Sequence, residues 1–203
     1  MLYLIGPHNF GDHLQDLEEM YRLRHHFFYK NLKWDVKTHG GMEKDEYDQL
    51  NSYYVIYKDQ NSIIKGCLRL IEMTKECMFD GPFRFLLPDT LASFKKPGYW
   101  EVSRLAIDTM CNEEEFKEIL TYLITSLSYF SLKGKIPKTY LALSYPTFVE
   151  LAKSLGVPIQ IIEEDRIDNK PVSVSIYAPD SSSHEKLKQR LPSPVELEIP
   201  VGL

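Results

Sequence analysis

Arg24 is a charged residue on the apolar side of a predicted helix. Between Gln15 and Leu32 the apolar residues fall on one arc of an α-helix, and Arg24 lies within that arc. The residues of the arc are Leu17, Met20, Tyr21, Phe27, Phe28 and Leu32. Because a guanidinium keeps its proton in a protein, an inward Arg24 needs a carboxylate, a backbone acceptor or an anionic ligand. The plainer alternative is that its side chain reaches water from the edge of the arc.

A group of carboxylates follows this helix. Glu43-Lys44-Asp45-Glu46-Tyr47-Asp48 lies within residues 34–50, a polar stretch with Gly40-Gly41 that predicts a long functional loop rather than a regular element. These acidic side chains can neutralise arginines, and they can also hold a cation or an ammonium group. They are therefore candidate partners for Arg24.

Three more charges interrupt predicted strands. Arg69 lies in a strand whose two faces are otherwise apolar, which predicts a central strand with Arg69 pointing inward. Glu101 and Arg104 share the strand 99–107, where their odd spacing places them on opposite faces unless a β-bulge intervenes. Each charge alone is compatible with an edge position or a structural salt bridge. Together with Arg24 they favour one polar cleft.

The chemistry open to such a cleft is limited by the other residues. Three arginines can hold carboxylates or phosphates, and Glu101 is a candidate general base. Ser103 lacks the context of a catalytic triad and is better explained as a strand hydroxyl. His25 and His26 face different directions on a helix and the other histidines are scattered, so no metal site is expected. No phosphate-binding loop or nucleophile-elbow motif occurs.

Composition excludes several classes of protein. Lys and Arg total 24 against 29 acidic residues, and the net charge of −5 argues against general nucleic-acid binding. The three cysteines show no CxxC or zinc spacing, which fits reduced thiols in a cytoplasm. We find neither the pattern of a signal peptide nor an apolar stretch long enough to span a membrane. A chain of 203 residues that is 43% hydrophobic fits a single domain over residues 1–203.

The predicted elements combine strands and helices. The predicted strands cover residues 2–5, 53–57, 62–71, 99–107, 138–143, 159–163 and 172–177. The first predicted helix begins at Asp12 or His13, and the others cover residues 88–94, 113–132, 147–155 and 182–191. The strand pairs within 53–71 and 159–177, the latter with a turn at 166–170, require hairpins. The pattern therefore predicts an α/β protein of the α+β type, with a mixed, mostly antiparallel sheet flanked by helices.

The charged positions and their intervals resemble the signature of the acyl-homoserine-lactone synthases, the autoinducer synthases of bacterial quorum sensing. The matching motifs are Arg24, Phe28 and Trp34, then Glu43-x-Asp45-x-Tyr47-Asp48, Gly66-Cys67-x-Arg69-Leu70 and Trp100-Glu101-x-Ser103-Arg104. The resemblance covers the first half of the chain in detail, and the second half mainly by element order. It implies a GNAT-like acyltransferase fold, which agrees with the mixed sheet.

The resemblance also implies a two-step reaction on S-adenosylmethionine, which is a substrate and not a bound cofactor. Its α-amino group attacks the thioester of an acyl chain held by acyl carrier protein. Its carboxylate then closes the lactone and expels methylthioadenosine. The functional residues that the resemblance implies are Arg24, Phe28, Trp34, Asp45, Asp48, Arg69, Glu101 and Arg104.

Roles within this set follow from the same resemblance. Phe28, Trp34 and Arg104 are expected on the adenosylmethionine side, with Trp34 stacked on adenine or facing the sulfonium. Glu101 is expected to accept the proton, directly or through a water. The carboxylates Asp45 and Asp48 are expected to tie the loop to the buried arginines and order a lid.

The acyl chain is expected to border Leu105 and Ser144. Leu105 stands where the family often has phenylalanine, and the backbone near it is a candidate N–H donor to the tetrahedral oxyanion. Ser144 stands where members that take a 3-oxo chain often have threonine, although it can equally be an ordinary strand-end serine. Acyl length, 3-oxo preference, the carrier of the acyl group and the oligomeric state stay open.

An acidic carrier protein would need a basic docking patch. Lys133, Lys135 and Lys138, with Lys153 near in sequence, are candidates beside the presumed acyl end. The alternative is that these lysines simply form a solvated face.

Two other functions compete with this interpretation. An acyl-CoA-dependent N-acyltransferase of the same fold usually holds the pyrophosphate with a glycine-rich loop, but residues 108–113 contain no glycine and end in acid. A non-enzymatic binding module would keep the charges as a structural network. Release of methylthioadenosine from adenosylmethionine separates the enzyme from the module.

Overall fold

The computed structural model describes residues 1–134, 138–167 and 169–197. Its strands are β1 (Leu2–Ile5), β2 (Thr38–His39), β3 (Met42–Glu43), β4 (Tyr53–Lys58), β5 (Ile64–Glu72), β6 (Tyr99–Ile107), β7 (Thr139–Ser144), β8 (Ile159–Ile167) and β9 (Lys170–Tyr177). Its α-helices are α1 (Leu14–Arg24), α2 (Leu91–Phe94), α3 (Glu113–Lys133), α4 (Pro146–Ser154) and α5 (Ser181–Lys188).

Seven strands form one mixed sheet in the order β1-β4-β5-β6-β7-β9-β8. Strands β6 and β7 pair in parallel, and the other pairs of this sheet that the described residues form are antiparallel. Helix α1 packs on one face of the sheet and α3 on the other. The predicted mixed, mostly antiparallel sheet flanked by helices is confirmed.

Helix α3 is the longest helix, and local sequence explains both its start and its burial. The Asn112 side chain accepts hydrogen bonds from the N–H groups of Glu114 and Glu115, and the Glu115 side chain accepts one from Asn112 N–H. Asn112 is therefore the N-cap of α3, directly before the predicted start of this helix at residue 113. The apolar face of α3 covers β4, β5 and β6 through Leu120, Leu123 and residues around them.

The first helix differs from its prediction. The α-helical path ends at Arg24, and His25–Asn31 continue as a π-helix, so the predicted uninterrupted α-helix to Leu32 is wrong. A π-turn is wider than an α-turn and is often found at functional sites. The spacing of Phe27, Phe28 and Leu32 suits both kinds of helix, which is why periodicity missed the change.

Two more predictions need correction. The loop at residues 34–50 contains a small β2–β3 hairpin, because Gly40 and Gly41 both adopt positive φ and form a tight turn. The hairpin near the C-terminal end is longer than predicted, since β8 and β9 extend into the expected turn at 166–170. Residue 168 of that turn lies outside the described residues.

Gly66 lies on β5 where helix α3 comes closest to the sheet. An added Cβ at Gly66 would lie 2.6 Å from Ile119 Cγ2 and 3.2 Å from Leu123 Cδ1. Ile119 is β-branched and stiff, so it cannot easily move aside. The glycine is therefore required by the packing of α3 on β5.

We predict that Gly66→Ala lowers the free energy of unfolding by about 1–3 kcal/mol, because it overpacks this contact. Urea unfolding measures the loss. The matched control is Gly11→Ala, where an added Cβ meets no atom within 4 Å. Equal stability of the two variants would contradict the close approach of α3.

Candidate active site

Arg24 is fully buried at the end of α1 and is held by two carboxylates. Its Nε lies 2.6 Å from Glu43 Oε2, and its two terminal nitrogens each lie 2.8 Å from an oxygen of Asp48. Burial alone would lower the pKa of Arg24, but Asp48 and Glu43 raise it well above its ordinary value. The side chain does not reach water, and the alternative of a surface-reaching Arg24 is wrong.

Asp48 is the point where the buried cations meet. It accepts from Arg24 on both oxygens, and Arg69 Nη1 lies 3.1 Å from its Oδ1. Its oxygens also accept from Tyr54 Oη at 2.9 Å and from the Asp45 N–H at 2.9 Å. Burial would raise the pKa of Asp48, but the Arg24 and Arg69 guanidinium groups outweigh it and hold the pKa below its usual range.

Arg69 extends the network from the centre of the sheet. It is fully buried on β5, as its place in an apolar strand predicts, and its Nη1 lies 2.5 Å from Asp45 Oδ1. Its Nε donates to Ser103 Oγ at 3.1 Å, across the strand pair. The Asp45 and Asp48 side chains thus do tie the loop to Arg24 and Arg69.

A β-bulge on β6 turns Arg104 to the same side of the sheet. Arg69 pairs with Ser103 while Cys67 pairs with Ala106, so two residues of β6 lie opposite Leu68. Arg104 has a φ of 53°, which is uncommon for a residue with a side chain. Because of this bulge, Glu101 and Arg104 share one face of the sheet, as their odd spacing required for a common site.

Arg104 closes the network against the loop. Its Nε donates to Glu43 Oε1 at 3.0 Å, and its Nη2 lies 2.6 Å from Asp45 Oδ2. The contact between Arg104 Nη2 and Asp45 Oδ2 is a close ion pair. It is not a well-aligned hydrogen bond, since Asp45 Oδ2 accepts no hydrogen bond from the described residues. Arg104 is 10% exposed, whereas Arg24 and Arg69 are not exposed at all.

Glu101 keeps one carboxylate oxygen uncommitted. Its Oε2 accepts from the Met78 N–H at 2.7 Å. Its Oε1 lies 4.0 Å from Arg69 Nη2, and neither of these buried atoms has a hydrogen-bond partner within the described residues. A buried orphan acceptor beside an orphan donor is a place for a water or a ligand group.

The four charges predicted to converge do so, but in a packed cluster and not in an open cleft. Three guanidinium groups face the carboxylates of Glu43, Asp45, Asp48 and Glu101, which leaves one formal negative charge. The exposed edge of the cluster is at Arg104. A cationic group is therefore the charge type that the cluster can accept.

Phe28 and Trp34 form an aromatic pair beside this edge. Their rings stack with centroids 5.1 Å apart, and the Arg104 guanidinium lies 5.6 Å from the Phe28 centroid. Trp34 Nε1 donates to Tyr145 Oη at 2.9 Å. Phe28 is buried and Trp34 half-buried, which leaves part of the indole accessible.

Leu105 and Ser144 lie on strands that separate. Pairing of β6 with β7 ends at Val102 and Ala142, so both residues come after the last paired positions. Both are half-buried. They lie on the two strands beyond the point where pairing ends, and we call this region the split between β6 and β7.

The structure removes Lys138 from the predicted basic patch and leaves Lys133 and Lys153 at the surface. Lys138 is 4% exposed, and its Nζ lies 4.3 Å from the Phe130 centroid, so it belongs to the core. Lys135 lies outside the described residues. Lys133 and Lys153 are exposed, and Lys153 pairs with Glu150 at 2.9 Å.

Within the described ranges, no group of three or more His, Cys, Asp or Glu side chains is placed to hold a metal ion. None of the helices there combines the length and apolar character needed to cross a bilayer.

Sequence reasoning missed the two tyrosines of the site. Tyr54 lies opposite Arg69 in the β4–β5 pair, so the hairpin register carried a signal for it. Tyr145 reaches Trp34 across 111 positions of the chain, and no local pattern indicates that contact. Ser103 was correctly taken for a strand hydroxyl, although it does accept from Arg69.

Comparison with known proteins identifies the family. The family model described as autoinducer synthase matches residues 11–187. An acyl-homoserine-lactone synthase of Aeromonas hydrophila is 31% identical over 147 residues, covering 70% of this chain and 69% of that protein. One of Vibrio anguillarum is 26% identical over 168 residues, covering 81% of this chain and 86% of that protein.

Solved structures share the fold. BjaI, a CoA-dependent acyl-homoserine lactone synthase solved with SAM and isopentyl-CoA, has a TM-score of 0.84 at 21% identity, covering 98% of this chain and 94% of that one. An acyl-CoA N-acyltransferase from Pseudomonas aeruginosa has a TM-score of 0.55 at 12% identity, covering 88% and 99%. The expected GNAT-like acyltransferase fold is confirmed.

The chain belongs to the autoinducer synthase family. Its curated relatives are acyl-homoserine-lactone synthases, and it is an acyltransferase of that class.

We predict that Tyr54→Phe lowers the free energy of unfolding by about 2 kcal/mol, because a buried hydrogen bond to the charged Asp48 is lost. Chemical denaturation measures the change. Tyr57→Phe, on the same strand, is the control, since the Tyr57 hydroxyl makes no hydrogen bond to the part of the chain that the structure describes. A loss as large in the control would contradict the role of Tyr54.

We also predict that Asp48 stabilises the fold in a pH-dependent way. A lowered pKa in the folded state gives stability that is full above the unfolded pKa of about 4 and is lost as pH falls below it. Asp48→Asn should therefore cost about 3 kcal/mol at pH 7, and the gap to wild type should narrow in acid. Unfolding at pH 7 and pH 3 measures the gap, with exposed Asp12→Asn as control. A gap that stays constant with pH would refute the prediction.

Proposed function

We propose that this enzyme acylates the α-amino group of S-adenosylmethionine and then closes the homoserine lactone. The observation that supports the proposal most is the buried pair of Glu101 Oε1 and Arg69 Nη2, an acceptor and a donor left open inside a cluster with surplus negative charge. An ammonium or sulfonium group supplies the positive charge that this cluster lacks. The family membership of the chain agrees with this substrate.

Glu101 takes the proton of the attacking amine. The Met78 N–H holds its Oε2, so Oε1 is the oxygen free to accept a proton directly or through a water. Nitrogen then bonds to the thioester carbon, and the carbon–sulfur bond breaks to release a thiolate, which leaves with the bonding electron pair. The backbone N–H near Leu105, on the bulged strand, stabilises the intermediate oxyanion.

The second step uses the carboxylate of the same substrate. A carboxylate oxygen bonds to the carbon next to the sulfonium. The bond between that carbon and the sulfur breaks, and its electron pair leaves on the sulfur of methylthioadenosine. Phe28 and Trp34 hold the adenosine side beside Arg104. The aspartates Asp45 and Asp48 act by holding the arginines in place and do not contact substrate.

The acyl donor in this proposal is a carrier-protein thioester, and acyl-CoA is the alternative. The first turn of α3 is acidic, and the Asn112 side chain already occupies the N–H groups of Glu114 and Glu115. These amides are therefore closed to a pyrophosphate, which binds well at open helix N-termini. The acyl chain would pass through the split beside Leu105 and Ser144. Solved structures of CoA-dependent acyl-homoserine lactone synthases share this fold, so acyl-CoA is tested as a donor beside the carrier thioester.

The proposed reaction is assigned to one domain over residues 1–203. The residues of the candidate site come from α1, the π-helix, the loop at 34–50, β4, β5 and β6, and Tyr145 follows β7. The split that borders the acyl chain lies between β6 and β7. Both parts of the proposed site therefore depend on the same sheet.

We predict that the purified enzyme releases methylthioadenosine and an acyl-homoserine lactone from S-adenosylmethionine with acyl carrier thioesters, and more slowly with acyl-CoA. Glu101→Gln should lower kcat at least 100-fold, because the general base is lost while shape is kept. Mass spectrometry of both products measures the reaction. Glu76→Gln, an exposed change outside the cluster, is the control.

Two results would contradict this proposal. The first is that wild type consumes no adenosylmethionine with either donor. The second is that folded Glu101→Gln retains wild-type rates. A higher rate with acyl-CoA than with the carrier thioester would overturn the assignment of the donor alone.

A further inference from the structure

Trp34 and Tyr145 connect two distant parts of the chain. The indole Nε1–H donates to Tyr145 Oη at 2.9 Å, and the rings meet edge to face with centroids 5.9 Å apart. Trp34 follows the π-helix, in the segment that leads to the acidic loop. Tyr145 lies between the end of β7 and the start of α4. The contact therefore crosses the split between β6 and β7.

The contact ends a row of stacked groups that begins at the bulge. The Arg104 guanidinium lies 5.6 Å from the Phe28 centroid, and Phe28 stacks on Trp34 at 5.1 Å with an angle of 26°. Trp34 then meets Tyr145. The row runs from β6 to the end of β7 above the point where the two strands stop pairing.

Tyr145 is the fixed end of this row. Its carbonyl accepts from Phe148 N–H and Val149 N–H, and Pro146 occupies the first position of α4, where its fixed φ suits a helix start. By contrast, Trp34 lies in a segment without regular structure, held by one backbone hydrogen bond from its N–H to Phe28 O and one from Val36 N–H to its own carbonyl. The hydrogen bond from the indole N–H to Tyr145 Oη therefore ties this irregular segment to the start of α4.

The chemistry of the hydrogen bond leaves one donor free. An indole N–H can only donate, so it needs an acceptor in a half-buried place. Tyr145 Oη supplies that acceptor and keeps its own hydrogen, for which no acceptor occurs within the ranges described. The phenol thus holds Trp34 through its oxygen alone.

We propose that Tyr145 is a positioning residue for the reaction, which sets the plane of Trp34 against adenosylmethionine and closes the segment around Trp34 over the split. This inference rests on the proposed function. Tyr145 acts on substrate affinity through Trp34, and it does not take part in proton transfer. Nothing in the sequence pattern of the site includes it.

The test compares Tyr145→Phe, which keeps the ring and removes only the hydroxyl, with wild type. We expect the Kd for S-adenosylmethionine by calorimetry, and its KM, to rise about 3- to 10-fold, the range of one hydrogen bond. The kcat and the KM for the acyl donor should stay within about twofold. Simple loss of folded protein would lower kcat and leave both KM values unchanged. Tyr99→Phe, outside the site, is the control and should match wild type.

A double-mutant cycle decides whether Tyr145 works through Trp34. In a Trp34→Phe background, which has no N–H to position, Tyr145→Phe should cause no further loss of affinity. Additive losses would show that the hydroxyl acts on the substrate by itself and would overturn the positioning role. Unchanged affinity in Tyr145→Phe, with wild type binding adenosylmethionine, overturns this inference alone. Failure of wild type to bind overturns the proposed function instead.

Discussion

The Arg24 guanidinium holds Glu43 and Asp48 where water cannot reach them, and the N-terminal half of the site depends on this interaction. Taking each ion out of water costs several kcal/mol, so the arrangement is stable only because Arg24, Glu43 and Asp48 each have close partners of opposite charge. Glu43 also accepts a hydrogen bond from Arg104, and Asp48 also forms an ion pair with Arg69. The positions of these two arginines therefore depend on the carboxylates that Arg24 holds. One helix, one loop and two strands are therefore positioned by a single set of ion pairs.

The same network explains why the sheet carries a distortion. A regular β6 would direct Arg104 away from the cluster, and Glu43 would lose a cation. The bulge brings Arg104 back, at a strain of about 1–2 kcal/mol for a left-handed backbone at a non-glycine residue. It also falls just after β6 stops pairing with β7, so the irregular backbone lies where β6 pairs with β5 alone.

Much of this was predictable from sequence, and the failures have physical reasons. The helical arc indicated that Arg24 points inward, the apolar faces of the strand indicated the same for Arg69, and the pattern predicted the start of α3 at residue 113. The spacing of Glu101 and Arg104 indicated that they share a face only if the strand contains a β-bulge. Spacing alone cannot tell a bulged strand from a regular one, so the bulge itself was not predicted. Lys138 was misjudged since burial of a lysine depends on aromatic rings from other elements. Tyr145 was missed for the same reason: its partner is distant in sequence.

The π-helix between His25 and Asn31 makes this region tolerant of a small change in length. A π-turn contains one residue more than an α-turn, so a single deletion here would restore ordinary α-helical winding. The missing residue and the tighter winding compensate each other, so the residues after the deletion would keep nearly the same direction relative to Arg24. Trp34 would then stay in the row of rings. The wide turn is thus the place between the buried arginine and the tryptophan where one residue can be gained or lost without breaking the spatial relation between them.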